Sequence, residues 1–319
     1  MWCPFLWDSK SLCNSDIVYN QETEMECLFL NIKLNAKMML SVAMIIFGTL
    51  GLFTRNIAVS SGELALYRAV LAALLISGYL LVKKQKIDFK AIKKELVLLL
   101  LSGMAMGINW ILLFEAYKYT TISAATLSYY FAPVIVTIVC PILFREKLTK
   151  IQILCFIMST VGLILITGIG NVGESGTDLI GILFGLGAAA FYATVVLLNK
   201  FIKNVEGIHR TLLQFLAAIL ILTPYVMCTG GCTLEKMDKT GWVCLLVVGL
   251  VHTGITYCLY FSALKELKGQ EAAILSYIDP LVAVLISVLI LGESMTILQL
   301  VGGVFILGFT LWNELSGEK

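Results

Sequence analysis

Apolar residues come in blocks along this chain, separated by short polar breaks. The blocks fall near 38–59, 64–82, 95–117, 121–144, 150–169, 179–199, 209–228, 240–264, 270–292 and 297–313. About 20 residues of helix cross the ~30 Å of hydrocarbon in a bilayer. Lipid gives backbone N–H and C=O groups no partners, so spanning segments of this length must be helices. The pattern therefore predicts an all-α integral membrane protein with ten transmembrane helices. Residues 1–37 break the pattern. They are polar, acidic in patches (Glu22, Glu24, Glu26), and lack the basic-then-apolar-then-small order of a signal peptide. They read as a disordered tail, or as an extension upstream of a start near Met38.

Composition agrees with the pattern. Hydrophobic residues make up 59% of the chain, charged residues 14%, and mean hydropathy is +0.92. A soluble domain carries roughly 25% charged residues. The nine cysteines are odd in number and most fall within apolar blocks, which argues against a disulfide framework. A bridge between Cys228 and Cys232 across an outer turn is the minor reading.

The chain repeats itself at an offset of 147 residues. Residues 107–152 align with 254–299 without a gap, and twelve of the forty-six positions are identical. Shared Leu or Ile would mean little in so apolar a chain. Tyr130, Pro133, Glu146, Thr149 and Gln152 reappear as Tyr277, Pro280, Glu293, Thr296 and Gln299, and those matches indicate a duplication. The copies are expected at 38–169 and 179–314.

Basic residues orient the spans. With the N-terminus inside, eighteen Lys and Arg fall in cytoplasmic segments, and Lys118, Lys236 and Lys239 fall outside. That asymmetry places both termini in the cytoplasm. Each copy has five spans, an odd number, so the second enters the membrane inverted. Inverted repeats are a recurring build for secondary transporters, with the site near the midplane between the copies.

The repeated residues also have local readings. Thr149-x-x-Gln152 and Thr296-x-x-Gln299 read as capping boxes opening the next helix. Glu146 and Glu293 stand just before those helices, where negative charge is favoured. Pro133 and Pro280 each remove a backbone hydrogen bond and are expected to kink their spans. GMAMG from Gly103 and GILFGLGAAA from Gly181 offer small faces for close helix approach.

Two five-span copies, a mid-helix proline in each, and a Glu–x–x–Thr step into each last helix resemble the EamA-type members of the drug/metabolite transporter superfamily. The resemblance covers about residues 38 to 314. It implies a ten-helix carrier of small metabolites, with a central cavity and export as the expected direction. Members often show Trp-Gly in the first span, where this chain has Phe47-Gly48. The Arg-Phe often seen in the second span is Arg68-Ala69 here.

Polar residues inside spans are the functional candidates, because burying them in lipid is costly. Arg68, Asn109, Trp110, Tyr130, His252, Tyr257 and Tyr277 are candidate substrate contacts. Tyr129, Tyr192 and Tyr260 add aromatic surface, and Thr256 matches Asn109 in the repeat. His252 reads equally as a satisfied core histidine. Asp279 is the candidate for proton coupling. Its alternative role is N-cap of a half-helix starting at Pro280. The first copy has Ala132 there, so the repeat itself does not demand an acid. Arg55, Glu63 and Glu115 lie near the outer ends of their spans and are candidates for a gate or ion pair. Arg68 lies deeper and is expected to pair with Glu115, Glu63 or an anionic group of the substrate.

An enzyme is not expected. The chain has two histidines and no HExxH zinc motif, G-x-S-x-G elbow or P-loop. No metal or organic cofactor is indicated. The expected partners are the bilayer and a small solute such as an amino acid, with no nucleic acid. The expected location is a cell membrane, of a bacterium. A receptor or scaffold that binds solute without moving it is the alternative function.

Overall fold

The computed structural model describes residues 35–84, 89–144, 149–167, 177–202, 205, 207–229, 233–267 and 275–316. Most of the extension 1–37, Glu146, Cys232 and the loop 173–176 lie outside them. All regular structure among the described residues is helical. In chain order the helices are α1 (Ala36–Gly48, continued by Leu50–Thr54), α2 (Ser61–Val82) and α3 (Phe89–Tyr119). Then come α4 (Ile122–Tyr129 and Ala132–Phe144), α5 (Lys150–Thr167), α6 (Thr177–Phe201) and α7 (Gly207–Thr229). The last are α8 (Lys239–Leu246, Val247–Ile255 and Thr256–Glu266), α9 (Ile278–Leu289) and α10 (Ile297–Ser316).

Six of these helices are long and apolar enough to cross a membrane: α1, α2, α3, α6, α7 and α8. The apolar parts of α4, α5, α9 and α10 are shorter, and they fall on the other four predicted blocks. Large apolar side chains stand exposed along α2, α7 and α9, such as Leu74 at 66%, Leu220 at 71% and Leu289 at 75%. In water such surface would drive association; in a bilayer it faces lipid.

Local chemistry sets where several helices begin. Asn35 caps α1 through Met38 N–H at 2.8 Å, so the helix starts slightly ahead of Met38. Ser60 and Glu63 form a reciprocal capping box on α2. The two repeated boxes are present as well. Gln152 N–H donates to Thr149 Oγ1 (3.2 Å) and Thr149 N–H to Gln152 Oε1 (2.8 Å). Gln299 N–H donates to Thr296 Oγ1 (3.1 Å) and Thr296 N–H to Gln299 Oε1 (2.9 Å). Each box satisfies two of the N–H groups that a helix start leaves free.

Packing runs mostly between the two halves of the chain. α3 packs on α6 and α7, and α8 packs on α1 and α2. α4 packs on α6, and α9 packs on α1. α2 meets α7, α4 meets α9 and α5 meets α10. Exchanging the halves turns each of these main packings into another of the same set. The α5–α10 contact shows how close the approach becomes. A Cβ on Gly162 would lie 2.6 Å from Gly302 O, and one on Gly302 would lie 2.4 Å from Gly162 O. Only hydrogen fits at both positions.

Two helices are interrupted and one is rewound. α4 breaks at Tyr130–Phe131, directly before Pro133. α9 starts after a turn at Tyr277, directly before Pro280. Each proline lacks the N–H that would bond four residues back, and its ring crowds that carbonyl. In α8, Val247–Ile255 winds as a π-helix. Side chains there reach back five residues: Thr253 Oγ1 to Val248 O at 2.8 Å and Thr256 Oγ1 to Val251 O at 2.7 Å. A π segment of nine residues is rare, and such bulges concentrate at functional sites.

Candidate functional site

The breaks and the π segment bring buried polar groups together between the halves. Arg68 of α2 is fully buried. Its Nε donates to Thr253 Oγ1 of the π segment at 3.0 Å. Its Cζ lies 4.5 Å from the centre of the Trp110 ring and 5.3 Å from that of Phe114, both on α3. Such placement over aromatic faces stabilises a guanidinium removed from water.

Rings continue from Trp110 across the interface. Trp110 meets Phe215 at 5.6 Å, Phe215 meets Tyr257 at 5.4 Å, and Tyr257 meets Phe47 at 5.4 Å between ring centres. Trp110 and Tyr257 stand 147 residues apart, the offset at which the sequence repeats, and both pack on Phe215. Asn109 donates through Nδ2 to Ala188 O of α6 at 2.6 Å. Tyr130, at the break in α4, donates its hydroxyl to Asp279 Oδ2 of α9 at 2.6 Å. Tyr129 packs on Tyr130 and on Tyr192 of α6. Tyr260 and Tyr277 are also buried.

His252 lies at the edge of this cluster. Its Nε2 is 2.8 Å from Thr49 Oγ1 of α1, and its ring meets Phe53 at 5.0 Å. The Thr49 hydroxyl donates to Ile46 O at 2.8 Å. The other ring nitrogen of His252, Nδ1, lies 3.3 Å from Val247 O on its own helix.

Asp279 does not sit at the N-cap. α9 begins at Ile278, the N-cap position falls on Tyr277, and no side chain caps it. The break comes earlier than Pro280, and the carboxyl accepts from Tyr130. The expected pairing of Arg68 with Glu63 or Glu115 is also corrected. Glu63 accepts from Ser60 N–H at 3.0 Å and from Thr233 N–H at 2.5 Å. Glu115 pairs with Lys118 on its own helix at 3.1 Å. Both lie toward the helix ends, where backbone N–H groups and a lysine offer partners.

Glu293 serves a helix other than the one that follows it. Its Oε2 accepts from Ile122 N–H, the start of α4, at 2.9 Å. It also accepts from the Ser287 hydroxyl and forms an ion pair with Arg55. The favourable meeting of carboxylate and helix N-terminus is real, but it joins the two halves of the chain. At the other end, Glu95 Oε2 accepts from Val205 N–H at 3.2 Å, and Gln214 Nε2 donates to Ser102 Oγ at 2.5 Å.

Sequence reasoning missed Thr253, Thr49, Phe47, Phe215, Glu95 and Gln214. Ordinary 3.6-residue periodicity hides a π segment, so nothing set Thr253 opposite Arg68. A signal existed in the polar run His252-Thr253 within an apolar block. Gly48 was noted only as a departure from a motif. A Cβ there would lie 2.7 Å from Asp279 O and 2.6 Å from Val282 Cβ, so glycine lets α1 lie against the start of α9.

The model of the EamA-like transporter family matches the chain twice, over residues 28–168 and 179–313. This chain belongs to the EamA-like transporter family. The first match begins within the segment expected to be an extension. Among EamA relatives, "Uncharacterized transporter YxxF" of Bacillus subtilis is 31% identical over 86% of this chain and 88% of its own length. An uncharacterized transporter of Clostridium kluyveri is 26% identical over 81% of this chain and 86% of its own. The inner membrane transporter YicL of Salmonella typhimurium is 23% identical over 87% and 94%. A crystal structure sharing 14% identity superposes with a TM-score of 0.63 over 89% of this chain and 99% of its own, a likeness of fold. The EamA chain is thus a multi-pass membrane transporter.

Proposed function

We propose that this EamA protein is a secondary carrier that exports a small amphipathic metabolite, such as an amino acid or related organic solute. Ten helices cross the membrane as two inverted five-helix copies, at 38–169 and 179–314, with both termini cytoplasmic. The halves rock against one another and open the central cluster to each side in turn.

One observation carries this reading. The polar links at the cluster join one half to the other: Arg68 to Thr253, Tyr130 to Asp279, Thr49 to His252 and Asn109 to Ala188. A seam of a few hydrogen bonds between packed rings is exchangeable in a way a continuous core is not. Discontinuous helices at the seam place polar groups at depth, as carriers need.

Flux in proteoliposomes tests the reading. Solutes released by overexpressing cells, and retained by deletion cells, are loaded into liposomes with and without purified protein. Protein-dependent efflux is expected. Binding without efflux supports the alternative, a solute-binding receptor or scaffold, and ends the carrier reading.

A further inference from the structure

Arg68 is completely buried, yet neither Nη1 nor Nη2 has a hydrogen-bond partner among the described residues. The rest of the side chain is held fast. Nε is bonded to Thr253, whose own proton is committed to Val248 O. Trp110 and Phe114 lie under the cation. A guanidinium stacked on rings keeps its in-plane fork for hydrogen bonds, and that fork matches a carboxylate with two parallel N–H···O contacts.

Among the described residues, the four acids discussed above have other partners. Glu63 holds Thr233 and Ser60, Glu115 holds Lys118, Asp279 accepts from Tyr130, and Glu293 pairs with Arg55. An ionised group with two unmet donors is costly in a water-poor site. It is retained where a ligand supplies the missing acceptors.

We propose that the Nη1–Nη2 edge of Arg68 binds the carboxylate of the transported solute, so the substrate class is small organic monocarboxylates with an apolar or aromatic body. This rests on the carrier reading above, because the buried fork is reached only when the halves part. Among the described residues of the cluster, Arg68 is the one Lys or Arg, and it sets the charge of the ligand. Arg55 is spent on Glu293, so a dianion such as a phosphate ester would bring one negative charge without a partner. Trp110, Phe215 and Tyr257 supply surface for the body of the solute.

The test uses the full chain purified in detergent. Thermal unfolding is followed with L-leucine, L-phenylalanine, butyrate, phenylacetate and pyruvate, each beside its primary amide. At least one acid is expected to raise the unfolding midpoint, and its amide is not. Arg68→Gln is expected to weaken that acid roughly 10- to 100-fold, the usual loss for hydrogen bonds to a charged group. Lys150→Gln, an exposed control, leaves it unchanged. The proposal is overturned if none of the acids stabilises the wild type, if the amides match them, or if Arg68→Gln binds normally. If Arg68→Gln does not fold, Arg68→Lys decides. It keeps the charge and loses the two-pronged edge, and unaltered affinity overturns the proposal. An acid that binds but is not moved by proteoliposomes removes the carrier reading and leaves the carboxylate site standing.

Discussion

Glu293 forms an ion pair with Arg55 across the interface between the halves. The same carboxylate accepts from Ile122 N–H at the start of α4 and from Ser287 of α9. Four segments, the ends of α1, α4 and α9 and the turn before α10, thus converge on one side chain that is mostly buried. In the proposed topology this point lies at the external end. Parting the halves on that side must break the Arg55 and Ile122 contacts.

Glu293→Gln is therefore expected to favour opening to the outside. Hydrogen bonds to a charged group contribute about 1.5–3 kcal/mol, so a site exposed by opening should react about tenfold faster or more. The measurement is labelling of Ser123→Cys, buried beside Ile122, by an impermeant maleimide added outside cells in a cysteine-free background. Equal rates with and without Glu293→Gln would make the contact a static cap.

Gly48→Ala tests the seat of α9. Alanine gains up to about 1 kcal/mol over glycine in a helix. Its Cβ would lie 2.7 Å from Asp279 O, a backbone atom that cannot turn aside. Overpacking costs about 1–3 kcal/mol, so the clash should win. A lower thermal midpoint is expected, together with reduced flux, since Asp279 moves with the displaced backbone. A raised midpoint would show that α1 and α9 are free to separate.

The topology has its own test. Lys93 should face the cytoplasm, and the loop 173–178 the outside, as the distribution of basic residues requires. With Lys93→Cys and Ser175→Cys in a cysteine-free background, an impermeant reagent outside should label position 175 alone. Labelling at 93 and not at 175 would reverse the orientation.

What could be read in the sequence was what neighbours decide. The apolar blocks were legible because a membrane helix is specified by its own run of residues. The boxes at Thr149 and Thr296 were legible because partner and cap are three residues apart. The partners of Glu293 were not, because Ile122 is 171 residues away and the local reading, a charge before α10, was chemically sound. Arg68 was legible as a costly group, but the acids nearest in the predicted topology were the wrong partners. Its anchor depends on winding in α8 that shifts Thr253 onto the facing surface. The repeat told which residues correspond, such as Trp110 and Tyr257, and not that both would meet Phe215.

The Asp279–Tyr130 contact is where two roles separate. Both groups are buried, and the hydroxyl donates to the carboxylate at 2.6 Å. The contact bridges α9 and the break in α4, so it must change as the halves move. A proton taken up by Asp279 removes an acceptor lone pair from Tyr130 and loosens that bridge. Proton binding would then be coupled to opening, the link a proton-driven carrier needs. Asn at this position keeps an acceptor oxygen for Tyr130 and does not titrate. Asp279→Asn is expected to fold, to bind solute, and to exchange solute across the membrane, while losing accumulation driven by a pH gradient. Tyr130→Phe removes the bridge and leaves the acid, so it should retain gradient-driven flux at a reduced rate. Proteoliposomes with an imposed pH difference measure both. If Asp279→Asn accumulates solute as the wild type does, Asp279 is a hydrogen-bond acceptor for α4 and the coupling proton is carried elsewhere.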